Sequence, residues 1–240
     1  MELSMQMYGC RVVQKALEHV LDDQQVELIK ELEVDVLKCV EDQNGNHVVQ
    51  KAIERVPTEH IQFVHVLVTH PYGCRFIQRI LECCLPRDQE RVLEGLHQWA
   101  SNLITDQYGN YVTQHVIQHG KPEDRAKIIK IVTAQLLVLS KHKFALNVVE
   151  KSIQFGNDEQ RKAIVTRLTT MHSDGTSPLQ LMMKNQYGTY VIREWTFGNM
   201  TMLKDAEREA FIEELKPQLL ALKKYNFGKQ IAAMEKLIFV

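Results

Sequence analysis

Six segments of the chain repeat one pattern: MYGCRVVQKALE, QNGNHVVQKAIE, PYGCRFIQRILE, QYGNYVTQHVIQ, KFALNVVEKSIQ and QYGTYVIREWTF. Their equivalent positions, Cys10, Asn46, Cys74, Asn110, Leu146 and Thr189, are separated by 36, 28, 36, 36 and 43 residues. A weaker seventh copy, YNFGKQIAAMEKLI, places Lys229 a further 40 residues on. A period of this size constrains the fold more than any other feature, because one unit cannot bury its apolar face alone and must stack on its neighbours around a shared core.

Each unit reads as helical. From the residue that opens the pattern (Gly9, Gly45, Gly73, Gly109, Ala145, Gly188), apolar side chains recur at helical spacing, as in Val48, Val49, Ala52 and Ile53. A short apolar stretch such as 34–40 precedes the pattern and an amphipathic stretch such as 123–132 follows it, and strand signals are absent. The expectation is an all-α, curved solenoid occupying 1–240 as a single repeat domain, with about six repeats and a C-terminal capping repeat. The aromatic before each opening residue (Tyr8, Tyr72, Tyr108, Phe144, Tyr187, Phe227) reads as packing between units.

Composition excludes other classes. With 45% hydrophobic and 25% charged residues the chain is too apolar for disorder. Its apolar runs fall short of the roughly 18 residues of a membrane-spanning helix. Five cysteines (Cys10, Cys39, Cys74, Cys83, Cys84) without paired metal spacing point to a reduced, intracellular chain. No cofactor or metal site is expected. His115 and His119 stand at i and i+4 with no third ligand, while His60, His65 and His70 are five apart and share no helix face. No phosphate loop or nucleophile motif appears, so no enzymatic activity is expected.

Three positions per unit vary while their neighbours stay constant: Cys10/Arg11/Gln14, Asn46/His47/Gln50, Cys74/Arg75/Gln78, Asn110/Tyr111/Gln114, Leu146/Asn147/Glu150 and Thr189/Tyr190/Arg193. On a helix, i and i+4 lie one above the other and i+1 is offset to one side. Each face therefore carries two edge readers and a third side chain, Arg11, His47, Arg75, Tyr111, Asn147 or Tyr190, mostly with a planar surface suited to stacking on a base. Packed helices lie about 8–10 Å apart, and two bases with a planar group between them about 7 Å. One helix can meet one base where the stack curves inward.

These motifs resemble the Pumilio (PUF) family of single-stranded RNA-binding proteins over essentially the whole chain: GCRVVQKALE, NGNHVVQKAIE, HPYGCRFIQRILE, DQYGNYVTQH and HKFALNVVEK match family repeats in order and in kind. The resemblance implies a right-handed, armadillo-like α-solenoid that reads one base per repeat, with the RNA antiparallel to the protein. It further implies binding to mRNA 3′ untranslated regions in the cytoplasm for repression, decay or localisation, with protein corepressors or decay factors on the convex face. Hydrogen-bond chemistry supports the same assignments. A carboxylate such as Glu150 accepts from the two adjacent donors of guanine. The amide pairs Asn46/Gln50 and Asn110/Gln114 suit uracil, and Cys10/Gln14 and Cys74/Gln78 suit adenine. From Glu150 back to Gln14 the expected RNA is 5′-GUAUA-3′.

Four departures from the family bear on function. Leu146 replaces the usual small hydroxyl residue, which should weaken guanine selection by Glu150 by about half of the 1–3 kcal/mol of a good bidentate contact. Thr189 and Arg193 replace the amides of a uracil repeat; donor-only Arg193 either favours cytosine or pairs with a phosphate or Glu194, so the base before guanine is C or U. The 46–74 interval is eight residues short of 36, near Ile61–Thr69, which should shorten the return helix and the short helix before Cys74 or distort the reader spacing. The first two repeats and an N-terminal cap are expected to be absent, which would favour self-association through that end.

Two alternatives share the architecture: an α-solenoid adaptor for protein peptides, and a divergent PUF-like protein binding structured RNA without sequence preference. Both predict unrelated residues at the reader positions, whereas four of the six trios repeat two base-reading sets. Ser173 to Pro178 reads as a surface loop, and 121–130 and 207–214 as solvated helix faces. A net charge of −1 argues against bulk electrostatic binding. The affinity for RNA should therefore fall only gently with salt, with a log–log slope of about −2 or shallower, corresponding to about three phosphates. Titration at several salt concentrations measures that slope.

Overall fold

A computed structural model describes residues 2–55, 63–171, 173, 175–197 and 213, with the side chains at 63, 189 and 193–197 outside that description. The chain forms two compact units, Met1–Val112 and Thr113–Val240. The first holds α1 (Glu2–Met5), α2 (Gly9–His19), α3 (Asp22–Val34), α4 (Val36–Glu41), α5 (Gly45–Arg55), α6 (Phe63–Val68), α7 (Gly73–Cys83), α8 (Pro86–Thr105) and the start of α9 (Gly109–His119). The second continues α9 and holds α10 (Pro122–Ala134), α11 (Leu136–Ser140), α12 (Ala145–Phe155), α13 (Asp158–Thr169), α14 (Pro178–Met183) and α15 (Gln186–Phe197). Among the described residues there is no strand, as the helical periodicity requires.

The repeated motif is in every case the helix of 11 or 12 residues, here called the reader helix: α2, α5, α7, α9, α12 and α15. A short helix precedes each except α9, which follows the 20-residue α8, and among the described residues a return helix follows α2, α9 and α12, with α8 taking that place after α7. In the first unit α2 packs on α5, α4 on α5 and α7, and α6 on α7 and α8. In the second unit α11 packs on α12 and α14 on α15, while α12 meets α15 directly. Val48, Val49, Ala52 and Ile53 of α5 and Val148, Val149 and Ile153 of α12 are buried, so the apolar stripe of the motif is the core of each unit. The position two after the reader is fully buried at Val48, Val148 and Val191 but 62% exposed at Val12, on the open side of α2.

Close backbone contact joins each short helix to its reader helix. A Cβ at Gly45 would stand 2.7 Å from the Cys39 carbonyl oxygen and 2.8 Å from its Cα. Gly9, Gly73 and Gly188 meet Leu3, Leu67 and Met182 in the same register, six residues back. Here glycine supplies room and not an unusual φ, since Gly175 alone among the described glycines has positive φ. Gly109 is looser, its nearest backbone atoms being 3.1 Å away, and Ala145 occupies the place in α12.

Three expectations are corrected. The shortened 46–74 interval leaves the short helix in place, because α6 seats Leu67 under Gly73 as α4 seats Cys39 under Gly45. The shortfall instead lies between α5 and α6, which are separated only by 56–62, outside the described residues, where α2 and α4 are separated by 20–35 with α3 among them. The aromatics before the reader helices do not all pack between units: Tyr8 and Tyr72 are 78% and 61% exposed, and Tyr108, Phe144 and Tyr187 half-buried. The Ser173–Pro178 segment is not wholly a surface loop, since Pro178 opens α14 and buried Ser177 caps it, its Oγ accepting the Gln180 N–H at 3.2 Å. Phe227, Lys229, most of 207–214 and the seventh copy lie outside the described residues.

Adding a methyl at the tight contact should cost about 1–3 kcal/mol. Gly45→Ala should therefore destabilise the fold more than Gly109→Ala, whose neighbours stand farther off, and urea denaturation of the two variants measures the difference.

Candidate nucleic-acid interface

Most ends of the reader helices are tied down by side chains. At the N-terminus, in every repeat but the first, the residue four before the reader takes two backbone N–H groups of the turn. Asp42 Oδ1 accepts from Asn44 and Gly45, both at 2.8 Å, and Asp106 Oδ1 accepts from Tyr108 at 2.8 Å and Gly109 at 2.7 Å. Asn185 Oδ1 does the same for Tyr187 at 2.9 Å and Gly188 at 3.1 Å. In the third and fifth repeats histidine takes the role at longer range, His70 Nδ1 accepting from Tyr72 and Gly73 at 3.4 Å and His142 Nδ1 from Phe144 and Ala145 at 3.3 and 3.4 Å. A side-chain acceptor here satisfies helix N–H groups that have no carbonyl partner.

At the C-terminus, donors from the return helices take over. Gln25 Nε2 donates to the Leu17 carbonyl at 3.0 Å, Gln89 Nε2 to Cys84 at 3.0 Å, and Arg125 Nε to Ile117 at 2.6 Å. α5 is linked to α2. Lys51 Nζ pairs with Glu18 at 3.2 Å and Glu54 at 2.6 Å, Lys15 reaches Glu18 at 2.7 Å, and Arg55 Nη2 donates to the Glu18 carbonyl at 3.1 Å. The hydrogen bonds from Lys15 and Lys51 hold the Glu18 carboxyl down at about 2, and the Glu54 hydrogen bond is the main reason Lys51 is raised.

On this frame the reader trios sort by exposure. The flat residues Arg11, His47, Arg75, Tyr111 and Tyr190 are exposed, and Asn147 is half-buried. The first edge residues Cys10, Cys74, Asn110 and Leu146 are buried and Asn46 half-buried, while Gln14, Gln50, Gln78, Gln114 and Glu150 are half-buried. Thr189 and Arg193 lie on α15 with side chains outside the described residues. The first four trios thus place an exposed flat group beside two recessed polar or apolar groups on one helix, and the fifth has half-buried Asn147 in that place.

The edge residues are also oriented. Gln14 and Gln78 donate Nε2 to the carbonyls of Cys10 and Cys74 at 3.1 and 3.2 Å. Asn46 Nδ2 donates to the Asp42 carbonyl at 3.0 Å, and Asn110 Nδ2 to those of Asp106 and Gln107 at 2.9 and 2.8 Å. Gln50 differs, donating Nε2 to Glu54 at 3.2 Å and approaching Cys84 Sγ at 3.5 Å. Burial pushes the Cys74 thiol up, and as a neutral thiol it donates to the Pro71 carbonyl.

The chain matches the family model described as the Pumilio-family RNA binding repeat over 1–33, 40–64, 63–97, 100–133, 135–169 and 180–193. It belongs to the Pumilio (PUF) family. Pumilio homolog 1 of Xenopus laevis is 48% identical over 243 residues, covering 97% of this chain and 20% of that protein. Fem-3 mRNA-binding factor 1 of Caenorhabditis elegans is 31% identical over 94 residues, 34% of this chain and 15% of that protein. The chain thus spans a fifth or less of the length of these relatives. Among solved structures, PUF-8 in complex with PBE-RNA superposes with a TM-score of 0.72 at 34% identity, covering 100% of this chain and 71% of that one. The Puf3 RNA binding domain bound to Cox17 RNA 3′ UTR recognition sequence site A gives 0.65 at 37% identity, covering 99% and 72%. The Pumilio assignment accounts for the helical-repeat fold on which the trios sit.

Two features of these Pumilio repeats were missed in the sequence: the cap four residues before the reader and the Glu18–Lys51–Glu54 bridge. The first has a signal, since Asp42, His70, Asp106, His142 and Asn185 recur three residues before the opening Gly or Ala. The second has none, because it depends on which helices become neighbours. His115 and His119 lie with ring centroids 4.8 Å apart, and no group of three or more metal-ligating side chains occurs among the described residues.

Glu18 also sets a pH dependence. Its folded value, about 2, lies below its ordinary 4.5, so its stabilising contribution is complete above about pH 4.5 and is lost as pH falls toward 2. Glu18→Gln should be less stable than the parent at pH 7, and the gap should close between pH 4.5 and 2 in urea titrations across that range.

Proposed function

We propose that the chain is a sequence-specific binder of single-stranded mRNA that recognises a 3′ untranslated element of the form 5′-[C/U]GUAUA-3′ and acts in the cytoplasm by repressing, destabilising or localising the message. The observation that carries this reading is the repeated trio: one exposed flat side chain beside two recessed edge groups, on helices whose ends are tied by side-chain caps or cross-helix pairs. Relatives whose structures hold PBE-RNA and a Cox17 3′ UTR sequence support it. Mechanistically, the protein's work is occupancy. Each flat residue stacks on a base, each edge pair reads one, and corepressors or decay factors are recruited elsewhere on the surface. A second copy docking on the open side of α2, where Leu3, Met7, Tyr8 and Val12 are exposed, belongs to the same proposal.

The ion pairs temper the role of charge. Lys51 and Lys15, beside the readers Gln50 and Gln14, are already paired with Glu18 and Glu54, so recognition leans on stacking and edge contacts more than on phosphates.

Selection from a random RNA pool tests the reading, with enrichment of 5′-GUAUA-3′ preceded by C or U as the expected outcome and enrichment of structured or unrelated RNA as the outcome that refutes it. Base–aromatic stacking is worth about 1–3 kcal/mol. Tyr111→Ala should thus weaken binding roughly tenfold without changing the preferred sequence. Asn46→Cys should shift preference at the fourth base from uracil toward adenine, and fluorescence anisotropy with single-base RNA variants reads both.

A further inference from the structure

Uracil and cytosine differ on their pairing edges at N3 and at position 4: uracil offers an N3–H donor beside the O4 acceptor, cytosine a bare N3 acceptor beside an N4 amino donor. An asparagine that reads this edge can favour either base, because turning its amide over exchanges acceptor and donor. Selection of uracil therefore requires something that prevents the turn.

The structure contains such a lock in the second and fourth repeats. Asn46 Nδ2 lies 3.0 Å from the backbone carbonyl oxygen of Asp42, a position only the amide nitrogen can satisfy, and Oδ1 is left as the acceptor. Asn110 is held more firmly: its Nδ2 reaches the Asp106 carbonyl at 2.9 Å and the Gln107 carbonyl at 2.8 Å, and the residue is 1% exposed. Turning either amide would set oxygen against oxygen. The Asp42 and Asp106 carbonyls also accept the backbone N–H of Asn46 and Asn110 at 3.1 and 3.3 Å, and they sit in turns held by the side chains of the same aspartates, each of which accepts two N–H groups at 2.7–2.8 Å.

Resting on the RNA-binding reading above, we propose that Asp42 and Asp106 are positioning residues that lock the amides of Asn46 and Asn110, so that these repeats select uracil over cytosine. Neither aspartate touches the base. The pattern across repeats agrees: where the reader is Cys74 or Leu146, with no amide to orient, the cap is a histidine at 3.3–3.4 Å.

The test uses the full chain and three RNAs: 5′-GUAUA-3′ and its variants with cytosine at the second or the fourth base. Asp42→Ala should lower the uracil-over-cytosine preference about tenfold at the fourth base and leave the second unchanged. Asp106→Ala should do the reverse, with a smaller fall because Gln107 still holds the Asn110 amide. Asp42→Asn and Asp106→Asn should keep the parental ratios, since Asn185 makes the same cap in its own repeat. A merely structural role predicts an equal loss for uracil and cytosine RNAs at both positions, and that result overturns the proposal. Should Asp42→Ala fail to fold, Asp42→His retains a cap of the His70 kind, with a smaller fall at the fourth base expected and an unchanged ratio overturning the idea. If the parent chain binds 5′-GUAUA-3′ with no base preference, the RNA reading itself fails, and the lock with it. A parent with preference and variants without change defeats the lock alone.

Discussion

Everything in the reader surface depends on how closely the short helix approaches the first turn of the helix that follows it. At Gly45 the backbone of Cys39 leaves no room for a methyl group, and the same six-residue register recurs at Gly9, Gly73 and Gly188. That contact seats the short helix against the first turn of the reader helix. It also brings the residue at the end of the short helix to the point where its side chain can cap the next helix, so packing and capping are one device. Asp42 shows this directly, closing α4 through its own N–H to Lys38 and capping the start of α5 through its carboxylate.

This device explains why the shortened second repeat still holds a reader. The missing residues fall between α5 and α6, away from the short-helix contact, and α6 meets α7 as α4 meets α5. The C-terminal ends of α2, α7 and α9 receive a donor from Gln25, Gln89 or Arg125, and α5 ends next to the shortened segment. There α5 is linked sideways to α2 through Lys51, Glu18 and Arg55. Partly exposed ion pairs are individually weak, so the link rests on a network of several with a backbone hydrogen bond among them.

The fold class and most of the candidate site were legible from residue order. Periodicity identified the buried stripe Val48, Val49, Ala52 and Ile53, and the constant-versus-variable contrast identified trios whose flat members are exposed apart from half-buried Asn147. Less legible were features whose meaning depends on neighbours. Tyr8 and Tyr72 look like packing aromatics yet are exposed, because they precede the reader helix at a turn and not on its buried face. Pro178 and Ser177 look like loop residues, but a proline at the first helical position and a serine at the cap are also how a helix starts.

The sequence by itself determined the helical repeats, the stripe they bury and the identity of the groups offered to a base, since each is a local periodic property. Only the tertiary structure decided which way those groups face. Whether Asn46 presents its oxygen or its nitrogen depends on a carbonyl placed by the preceding turn, and whether Lys51 is available to a phosphate depends on a glutamate of another helix. The first contact is local, four residues back, and shows in the sequence only as a recurring cap residue; the second joins helices distant in the chain, and spacing within a motif carries no information about it.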